Sequence, residues 1–353
     1  MSLLLILNPG STSTKLAVYE DDQQRYAQTI RHIAQELEGY ACVYDQQQFR
    51  MDTIMKCLEE GGFGKARFDG VIAIGGLLRN VESGVYHVNS TMLEDLKTQK
   101  YGEHAANLGA ALAYDFGCRQ GIPAFVGDPI TVDEMQPIAR ISGHPLLPRY
   151  GRTHTLNHKR IAFSVSAELG KDYKDCRLII AHLGGGVSIG AHAGGKIIDS
   201  TSSRGEGAFS MDRSGQLNAW ELAKLCFSGK YGKNTVLKML NGSGGVSAYL
   251  GTKDFRQVEQ MMNEGNETAR DVFEALAYQV AKEIAAMAAV LSGEMDAIVI
   301  TGGIAYSQAF LDLLLPRIAF LGPVLLRPGE EEMESLHFYL RSVLNGSMAP
   351  KEY

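Results

Sequence analysis

Residues 8–15 near the N-terminus carry the groups that a phosphate-binding loop requires. They read Asn-Pro-Gly-Ser-Thr-Ser-Thr-Lys and follow a short apolar run. Backbone N–H groups, hydroxyl donors and one cation together bind phosphate. The segment is not a P-loop, because Thr14 stands where the second glycine would be and Lys15 opens a strand-like run instead of a helix. Taken alone, these residues are compatible both with a phosphate loop and with an ordinary hairpin turn.

A second glycine-rich segment, residues 182–190, reads His-Leu-Gly-Gly-Gly-Val-Ser-Ile-Gly and contains the Gly-x-Ser-x-Gly pattern of serine hydrolases. In those enzymes a helix follows the nucleophilic serine directly. Here residues 191–198 predict a strand, a Gly-Gly turn and a further strand, which disfavours Ser188 as a nucleophile. A dinucleotide dehydrogenase is also disfavoured, because the Gly-Glu-Gly segment at 205–207 is followed by Ser210 where the fingerprint needs glycine.

Polar residues outside these two loops are further candidates for chemistry. Arg213 lies in a polar turn, and Asp128 ends an apolar run, where α/β proteins commonly bind ligands. His154 and His158 are four residues apart but lack the glutamate of a zinc protease motif. For Arg213 the alternative is a solvated surface arginine, and for Asp128 it is a helix N-cap. For His154 and His158 the alternative to a metal site is a hydrogen-bonded pair. Likewise, residues 330–332 fit the acidic first turn of a final helix.

Short apolar runs that end in glycine turns should position these residues. Such runs precede the turns at 8–11, 75–76, 184–186 and 302–303, and each predicts a buried strand. Helical patterns lie between them, the clearest over 267–291, where apolar residues recur with a period of 3.6. Strands alternating with helices predict an α/β protein. The similarity of the first and third runs predicts a duplicated domain with a cleft between the copies. The alternative is that several turns of this kind occur in any α/β protein.

Composition limits the classes of function. With 353 residues, 45% hydrophobic and 21% charged, the chain is long enough for two globular domains and is not disordered. A net charge of -6 argues against a nucleic acid as partner, and no apolar run approaches the roughly 20 residues that span a membrane. Five cysteines without a Cys-x-x-Cys pair indicate neither a disulfide framework nor a zinc site and fit a reducing cytoplasm.

Four motifs together resemble the acetate and butyrate kinase family, within the superfamily of sugar kinases, heat-shock chaperones and actin. They are residues 8–15, Ala-His-Leu-Gly-Gly-Gly-Val-Ser-Ile-Gly at 181–190, Met-Asp-Arg-Ser-Gly at 211–215 and Thr-Gly-Gly-Ile-Ala at 301–305. The resemblance implies an α/β fold of two duplicated actin-like (ribonuclease H-like) domains with a nucleotide cleft between them. The expected domains are residues 1–150, completed by a helix at 333–353, and residues 151–332.

The same resemblance implies an acyl kinase, which transfers the γ-phosphoryl group of ATP reversibly to a short-chain carboxylate and releases ADP and an acyl phosphate, with Mg²⁺. Pro9 and the His-Leu-Gly-Gly-Gly form are most similar to the butyrate-specific members, so butyrate is the expected acid. Acetate, propionate and branched-chain acids are the alternatives. The family also implies a homodimer or larger homo-oligomer in the cytoplasm. The alternative of another class is an actin-like protein that hydrolyses ATP to switch shape and bind a partner.

The resemblance assigns nucleotide binding to ten positions. They are Ser11, Ser13 and Lys15 in the first loop, His182, Gly184, Gly185 and Gly186 in the second, and Gly302, Gly303 and Ile304 at the adenosine. Arg213, Asp128, His154 and Asn8 are expected to act in catalysis.

The remaining assignments concern magnesium and the acyl end of the site. Asn8, Asp128 and Glu331 are expected at the magnesium ion. His104, Ala73 and Thr153 are expected to line the acyl group. The family has an arginine where this chain has Val71, and Arg79, just after the following turn, is expected to take over its catalytic role.

Overall fold

The computed structural model describes residues 1–202 and 205–353 and divides into two compact units. Unit 1 consists of residues 1–132 and 331–353, and unit 2 consists of residues 133–330. Each unit contains one β-sheet flanked by helices.

Residues 133–150, expected from the sequence in the first domain, have their contacts in unit 2. The backbone N–H of Gln136 donates to the carbonyl of Ile198 over 2.9 Å. Glu134 forms an ion pair of 2.6 Å with Lys159, and both side chains are almost fully buried. A buried charge pair of this kind fixes its two segments together, because removing either partner leaves an uncompensated charge.

Unit 1 is built on a six-stranded mixed sheet. Its strands are β1 (Leu3–Pro9), β2 (Ser13–Glu20), β3 (Gln23–Arg31), β4 (Gly70–Ile74), β5 (Val85–His87) and β6 (Ala124–Gly127). They lie in the order β3-β2-β1-β4-β6-β5. Strands β1, β4 and β6 are parallel, whereas β2, β3 and β5 run antiparallel to their neighbours. The carboxyl ends of the parallel strands therefore bring Asn8 and Asp128 to one edge of the sheet.

Four helices of unit 1 precede or interrupt its later strands. They are α1 (Ala34–Leu37), α2 (Gln47–Glu60), α3 (Ser90–Lys97) and α4 (Asn107–Gln120). Leu108 and Leu112 of α4 belong to the same buried cluster as Val71 and Ala73 of β4. Burial of such apolar side chains, at roughly 25 cal/mol per Å², holds the helix on this face of the sheet.

Unit 2 repeats the arrangement with five strands. They are β7 (Leu178–Leu183), β8 (Val187–Ala193), β9 (Lys196–Ser200), β10 (Ala297–Gly302) and β11 (Val324–Pro328), in the order β11-β10-β7-β8-β9. As in unit 1, the first strand begins an antiparallel meander, here β7-β8-β9. On its other side β7 pairs in parallel with β10, which pairs in parallel with β11. The strand, Gly-Gly turn and strand predicted over 191–198 are confirmed, and Ser188 lies within β8 without a following helix.

The helices of unit 2 include the long helix predicted over 267–291. They are α5 (Thr155–Glu168), α6 (Ala219–Cys226), α7 (Lys233–Leu240), α8 (Gly245–Leu250), α9 (Phe255–Asn263), α10 (Glu267–Val290) and α11 (Gln308–Ile318). Helix α10 buries its apolar face in the main core of the unit, which includes Phe273, Val280 and Ile284.

After β11 the chain returns to unit 1 and forms α12 (Glu332–Leu344). A Cβ built on Gly127 of β6 would lie 3.0 Å from both Leu336 and Tyr339, so α12 packs closely on the sheet there. Ile72 lies at the same place, on the face opposite to Val71. None of the helices in the described parts of the chain is long and apolar enough to cross a membrane.

Candidate active site

The turn between β1 and β2, residues 10–13, is the first phosphate loop predicted from the sequence. Its Gly10 N–H donates to the carbonyl of Ser13 over 2.8 Å. Arg50 of α2 donates from Nη1 to the carbonyls of Gly10 (2.8 Å) and Ser13 (3.0 Å) and from Nη2 to that of Ser11 (3.1 Å). One guanidinium group thus binds the carbonyl oxygens of a loop that is expected to receive an anion.

Arg50 is a residue that the sequence analysis missed. Its side chain is fully buried, and Gln46 accepts from its Nε and Nη2. Burial lowers the pKa of Arg50 to about 10, so the group stays charged at neutral pH. The signal in the sequence is its spacing, because Arg50 lies on the buried side of α2 with Met51, Ile54 and Leu58.

Asn8 and Lys15 are paired across β1 and β2, at the base of the first loop. Asn8 donates from Nδ2 to Glu332 Oε2 over 2.7 Å, and Lys15 Nζ lies 3.9 Å from the same oxygen. Glu332 was not predicted. Glu331, which was assigned to magnesium, precedes it with a φ of 44° and accepts from the Ser335 hydroxyl through its carbonyl. The magnesium role of Glu331 therefore stays a prediction, and Glu332 becomes a further candidate.

Asp128 follows β6 and is 3% exposed. Its Oδ1 accepts from the Gly84 N–H over 2.9 Å, and its Oδ2 accepts from the Tyr339 hydroxyl of α12. Its φ of 31° is in a region that residues other than glycine rarely adopt, and such strain often marks functional sites. Each carboxylate oxygen has more than one lone pair, so the predicted catalytic and metal roles are compatible with these bonds and stay predictions.

The predicted acyl-end residues of unit 1 lie in different environments. Ala73 has no exposed surface. His104 is exposed, and its Nδ1 accepts from the N–H of Ala106 at the start of α4. The guanidinium of Arg79 lies 4.3 Å from the ring centre of Tyr353, in cation–π geometry. Their substrate roles stay predictions.

In unit 2 the second phosphate loop, residues 184–186, joins β7 to β8. Gly184 donates its N–H to the carbonyl of Gly186 over 3.0 Å. A Cβ on Gly186 would lie only 2.6 Å from Arg213 Nη1, so the absence of a side chain lets the guanidinium lie against the loop. Nothing lies within 4 Å of where a Cβ of Gly185 would be, which leaves that part of the loop open to a ligand.

The predicted adenosine residues, Gly302, Gly303 and Ile304, lie next to this loop. Gly302 ends β10 with a φ of 91°, and a Cβ there would lie 2.3 Å from the carbonyl oxygen of Leu183, at the end of β7. Gly303 borders open space, whereas Ile304 is buried in the core. The structure therefore brings two separately predicted loops to the same edge of the sheet of unit 2.

His182, just before the second loop, has its tautomer fixed by Asn157. Asn157 Nδ2 donates to the carbonyl of Glu330 over 3.0 Å, and a carbonyl can only accept. The amide oxygen of Asn157 must then face His182 Nδ1, at 3.0 Å, and that nitrogen carries the proton. Burial and the nearby charge of Arg213 lower the pKa of His182 to about 4, so the neutral ring presents an unprotonated Nε2.

His154 immediately precedes α5, and its ring stacks on that of His182 with 4.2 Å between ring centres. Its Nδ1 lies 2.8 Å from the Ser188 hydroxyl. Burial, His182 and Arg213 hold the pKa of His154 well below its ordinary value near 6.5. The neighbouring Thr153, predicted at the acyl end, contacts Thr155 through the two hydroxyls at 2.9 Å.

Within the parts of the chain that the structure describes, no three His, Cys, Asp or Glu side chains are grouped to hold a metal ion. Magnesium does not require such a group, because it binds through one or two carboxylates together with phosphate oxygens and water. Beside the first loop, the Asn8 amide nitrogen donates to the Glu332 carboxylate over 2.7 Å. The carboxylate of Glu332, together with the amide oxygen of Asn8, fits a magnesium ion that is completed by phosphate oxygens and water.

Comparisons with known proteins cover nearly the whole chain. The sequence model of the acetokinase family matches residues 140–327. Butyrate kinase 2 from Clostridium acetobutylicum is 46% identical over 99% of both chains. Among solved structures, Porphyromonas gingivalis acetate kinase has a TM-score of 0.80 at 19% identity, covering 96% of this chain and 99% of that one. A propionate kinase from Francisella tularensis has a TM-score of 0.76 at 19% identity, covering 95% and 98%. The predicted fold class, an α/β protein of two duplicated actin-like domains, is confirmed.

Proposed function

This chain belongs to the acetokinase family, and on that premise we propose that it is a butyrate kinase. It transfers the γ-phosphoryl group of ATP reversibly to butyrate and forms ADP and butanoyl phosphate. The geometric observation that carries the phosphoryl-transfer assignment is the Arg213 guanidinium packed against Gly186 of the second phosphate loop. The choice of butyrate is supported by the 46% identity to a butyrate kinase over the full chain.

The chemistry requires positioning and charge neutralisation instead of a base. A carboxylate oxygen of butyrate forms a bond to the γ-phosphorus while the bond to the β,γ-bridging oxygen breaks, and the electron pair leaves with ADP. The acid is already ionised at pH 7, so no proton must be removed. Arg213 and neutral His154 act as donors to the equatorial oxygens of the transferring group, where charge must be stabilised.

Unit 1 carries further polar groups that we assign to nucleotide binding. At the first loop, phosphate oxygens are bound by Ser11, Ser13 and Lys15. Arg50 donates hydrogen bonds to the carbonyl oxygens of this loop. Asn8 and Glu332 would hold Mg²⁺, with Asp128 and Glu331 as the other candidate carboxylates. When bound, the ion neutralises charge on the β- and γ-phosphates.

In unit 1, His104 and Ala73 would contact the acyl group and Arg79 would bind its carboxylate; in unit 2, Thr153 would contact the acyl group. Ala73 and Thr153 have small side chains, which favours an acid longer than acetate. Since Ala73 has no exposed surface, the acyl chain reaches it only if neighbouring side chains move.

We propose that the protein acts in the cytoplasm as a homodimer or larger homo-oligomer. Support for self-association comes from α6 of unit 2, which has no buried residue. Trp220 of this helix is 73% exposed, and the adjacent Phe227 is 90% exposed. Large apolar side chains exposed together usually mark an interaction surface. Light scattering at several concentrations measures the oligomeric state.

One assay separates acyl transfer from the other class of function. The protein is incubated with ATP, Mg²⁺, butyrate and hydroxylamine, and acyl hydroxamate is measured together with ADP. A butyrate kinase forms the hydroxamate in amounts that match ADP. ADP formation without hydroxamate, independent of butyrate, would instead identify an actin-like protein that hydrolyses ATP to change shape.

A further inference from the structure

We propose that Ser188, His158, His192 and Tyr173 form a buried hydrogen-bonded chain that holds His154 with its proton on Nε2, as a neutral donor to the transferring phosphoryl group. We call these four residues the relay. They are positioning residues, because they act through His154. The role given to His154 rests on the proposed function, whereas its tautomer does not.

The contacts form one unbroken line. His154 Nδ1 lies 2.8 Å from Ser188 Oγ, which lies 3.1 Å from His158 Nε2. His158 Nδ1 lies 3.2 Å from His192 Nε2, and His192 Nδ1 lies 2.8 Å from the Tyr173 hydroxyl. Ser188, His158 and His192 have no exposed surface, and Tyr173 is 7% exposed. Each imidazole nitrogen of His158 and His192 is therefore used in the line.

Two elements build this line. His154 and His158 are one turn apart at the start of α5, while Ser188 and His192 are four residues apart on β8. Gly190 lies between these two β8 residues, and a Cβ there would lie 3.4 Å from His158 Nδ1. The ring of His158 therefore packs directly on the β8 backbone between its two β8 partners.

The histidines of the relay are neutral. Burial lowers the pKa of His158 to about 3 and that of His192 well below its ordinary value. Lys159 acts in the same direction on both rings, and it is itself paired with Glu134. A neutral imidazole has one N–H and one lone pair, so the part of the line through His158 and His192 can run in only two directions.

Tyr173 selects the direction. A phenol, with a pKa near 10, is a far stronger acid than a neutral imidazole N–H, and an imidazole lone pair is a better acceptor than a phenol oxygen. Tyr173 therefore donates to His192 Nδ1, which places the proton of His192 on Nε2. His192 then donates to His158 Nδ1, and His158 donates from Nε2 to Ser188. Ser188 Oγ also accepts from the backbone N–H of His154 over 3.3 Å, so both of its lone pairs are used. Its hydroxyl therefore donates to His154 Nδ1, which leaves the proton of His154 on Nε2.

The stacked pair of histidines consequently has opposite tautomers. His182 carries its proton on Nδ1, because it donates to Asn157. His154 carries its proton on Nε2. At neutral pH His154 is then the ring that can donate to an anionic oxygen through Nε2, and His182 donates there only after taking up a proton.

Nuclear magnetic resonance of the wild-type protein tests the tautomer without turnover. The chain is labelled with ¹⁵N at histidine, and long-range ¹H–¹⁵N spectra are recorded at pH 7. The His154 signals are identified by their loss in His154→Gln. We expect a protonated Nε2 and an unprotonated Nδ1. A protonated Nδ1 would overturn the proposal, whether or not the protein phosphorylates butyrate.

Variants test the effect of the relay on catalysis. Ser188→Ala removes the direct partner of His154, and Tyr173→Phe removes only the hydroxyl that sets the direction. We expect kcat for butyrate to fall about 100-fold and about 10-fold, respectively, with the KM for ATP changed less than about twofold. The tautomer spectrum of folded Tyr173→Phe should show a mixture. Wild-type kcat and an unchanged spectrum in Tyr173→Phe would refute the relay.

Two controls separate positioning from a general loss of packing. Ser166→Ala removes another buried hydroxyl, on α5, that has no hydrogen-bond partner among the described residues, so it should keep wild-type kcat. His158→Gln retains one donor and one acceptor, whereas His158→Leu retains neither. We expect the glutamine variant to keep at least about tenfold more kcat than the leucine variant, and equal losses would contradict the proposal.

Discussion

In the proposed reaction, Arg213 and the neutral ring of His154 in unit 2 act as donors, which suits transfer to an acceptor that is already ionised. The low pKa of His182, about 4, and that of His154 follow from burial beside a guanidinium. Neutral rings can lie close to Arg213 without the repulsion that two charged imidazoles would add. The arginine therefore carries the positive charge at the second loop, and its removal should affect the chemical step.

Arg213→Ala should lower kcat by about 10²- to 10³-fold while the KM for ATP changes little, because Arg213 acts on charge that develops at the γ-phosphoryl group. Steady-state kinetics with ATP and butyrate measures both constants. Arg256→Ala is the control, since its side chain in the same unit is 87% exposed. A near wild-type kcat in Arg213→Ala would mean that Arg213 has no part in the chemical step.

The acyl pocket should prefer butyrate or isobutyrate over acetate. Two further methylene groups, each contributing about 0.8 kcal/mol when buried, correspond to about tenfold in kcat/KM. Ala73→Val should narrow this preference and also destabilise the fold by about 1–3 kcal/mol, because Ala73 is fully buried. The test compares kcat/KM for acetate, propionate, butyrate and isobutyrate. A highest value for acetate would refute the choice of butyrate and leave the acyl kinase assignment intact.

The β1–β2 turn depends on a helix that lies outside the recognised motifs. The guanidinium of Arg50 on α2 bonds three carbonyl oxygens of the turn and the Thr14 hydroxyl, at 3.1 Å. A planar group with five donors can do this, whereas a lysine ammonium has only three. The shape of this turn, the predicted first phosphate loop, is therefore set partly by α2.

Arg50→Lys should raise the KM for ATP about tenfold or more and lower the thermal midpoint, because one ammonium cannot satisfy all these acceptors. Each buried acceptor left without a donor costs about 1–3 kcal/mol. Arg25→Lys on β3 is the control, because this exposed side chain pairs with Glu20 and the substitution should leave both quantities unchanged. A folded Arg50→Lys protein with wild-type KM for ATP would show that the loop keeps its shape without Arg50.

The sequence predicted those elements whose pattern lies within one short stretch of residues. Strands β1, β4, β7 and β10 follow from short apolar runs, and α10 follows from its periodicity. Arg50, Glu332 and the Tyr173 end of the relay were missed, because their partners are distant along the chain. Asn8 and Glu332, for example, are 324 positions apart. Only the packed fold brings such pairs together, and their residue types alone are those of ordinary helices and turns.

The stability of the chain should decrease as the pH falls below 6.5. His154, His158, His182 and His192 all have a pKa lowered by burial, to about 3 for His158 and about 4 for His182. Unfolding exposes these rings, whose pKa returns to about 6.5, so the unfolded chain binds more protons below that pH. Each such proton gives a slope of about 1.4 kcal/mol per pH unit in the free energy of unfolding, until the pH reaches the folded pKa.

Differences between variants separate the contribution of these histidines from that of Asp199 and Glu283, whose pKa values are raised by burial and act on stability in the opposite direction. Urea denaturation from pH 7 to pH 4.5 gives the slope for the wild type, for His158→Gln and for His144→Gln. The loss of buried His158 should reduce the slope by about 1.4 kcal/mol per pH unit, because one proton fewer is taken up on unfolding. The loss of exposed His144 should leave it unchanged. Equal slopes in all three proteins would mean that His158 is already protonated in the folded chain, and the neutral hydrogen-bonded line from Tyr173 to His154 would then not exist.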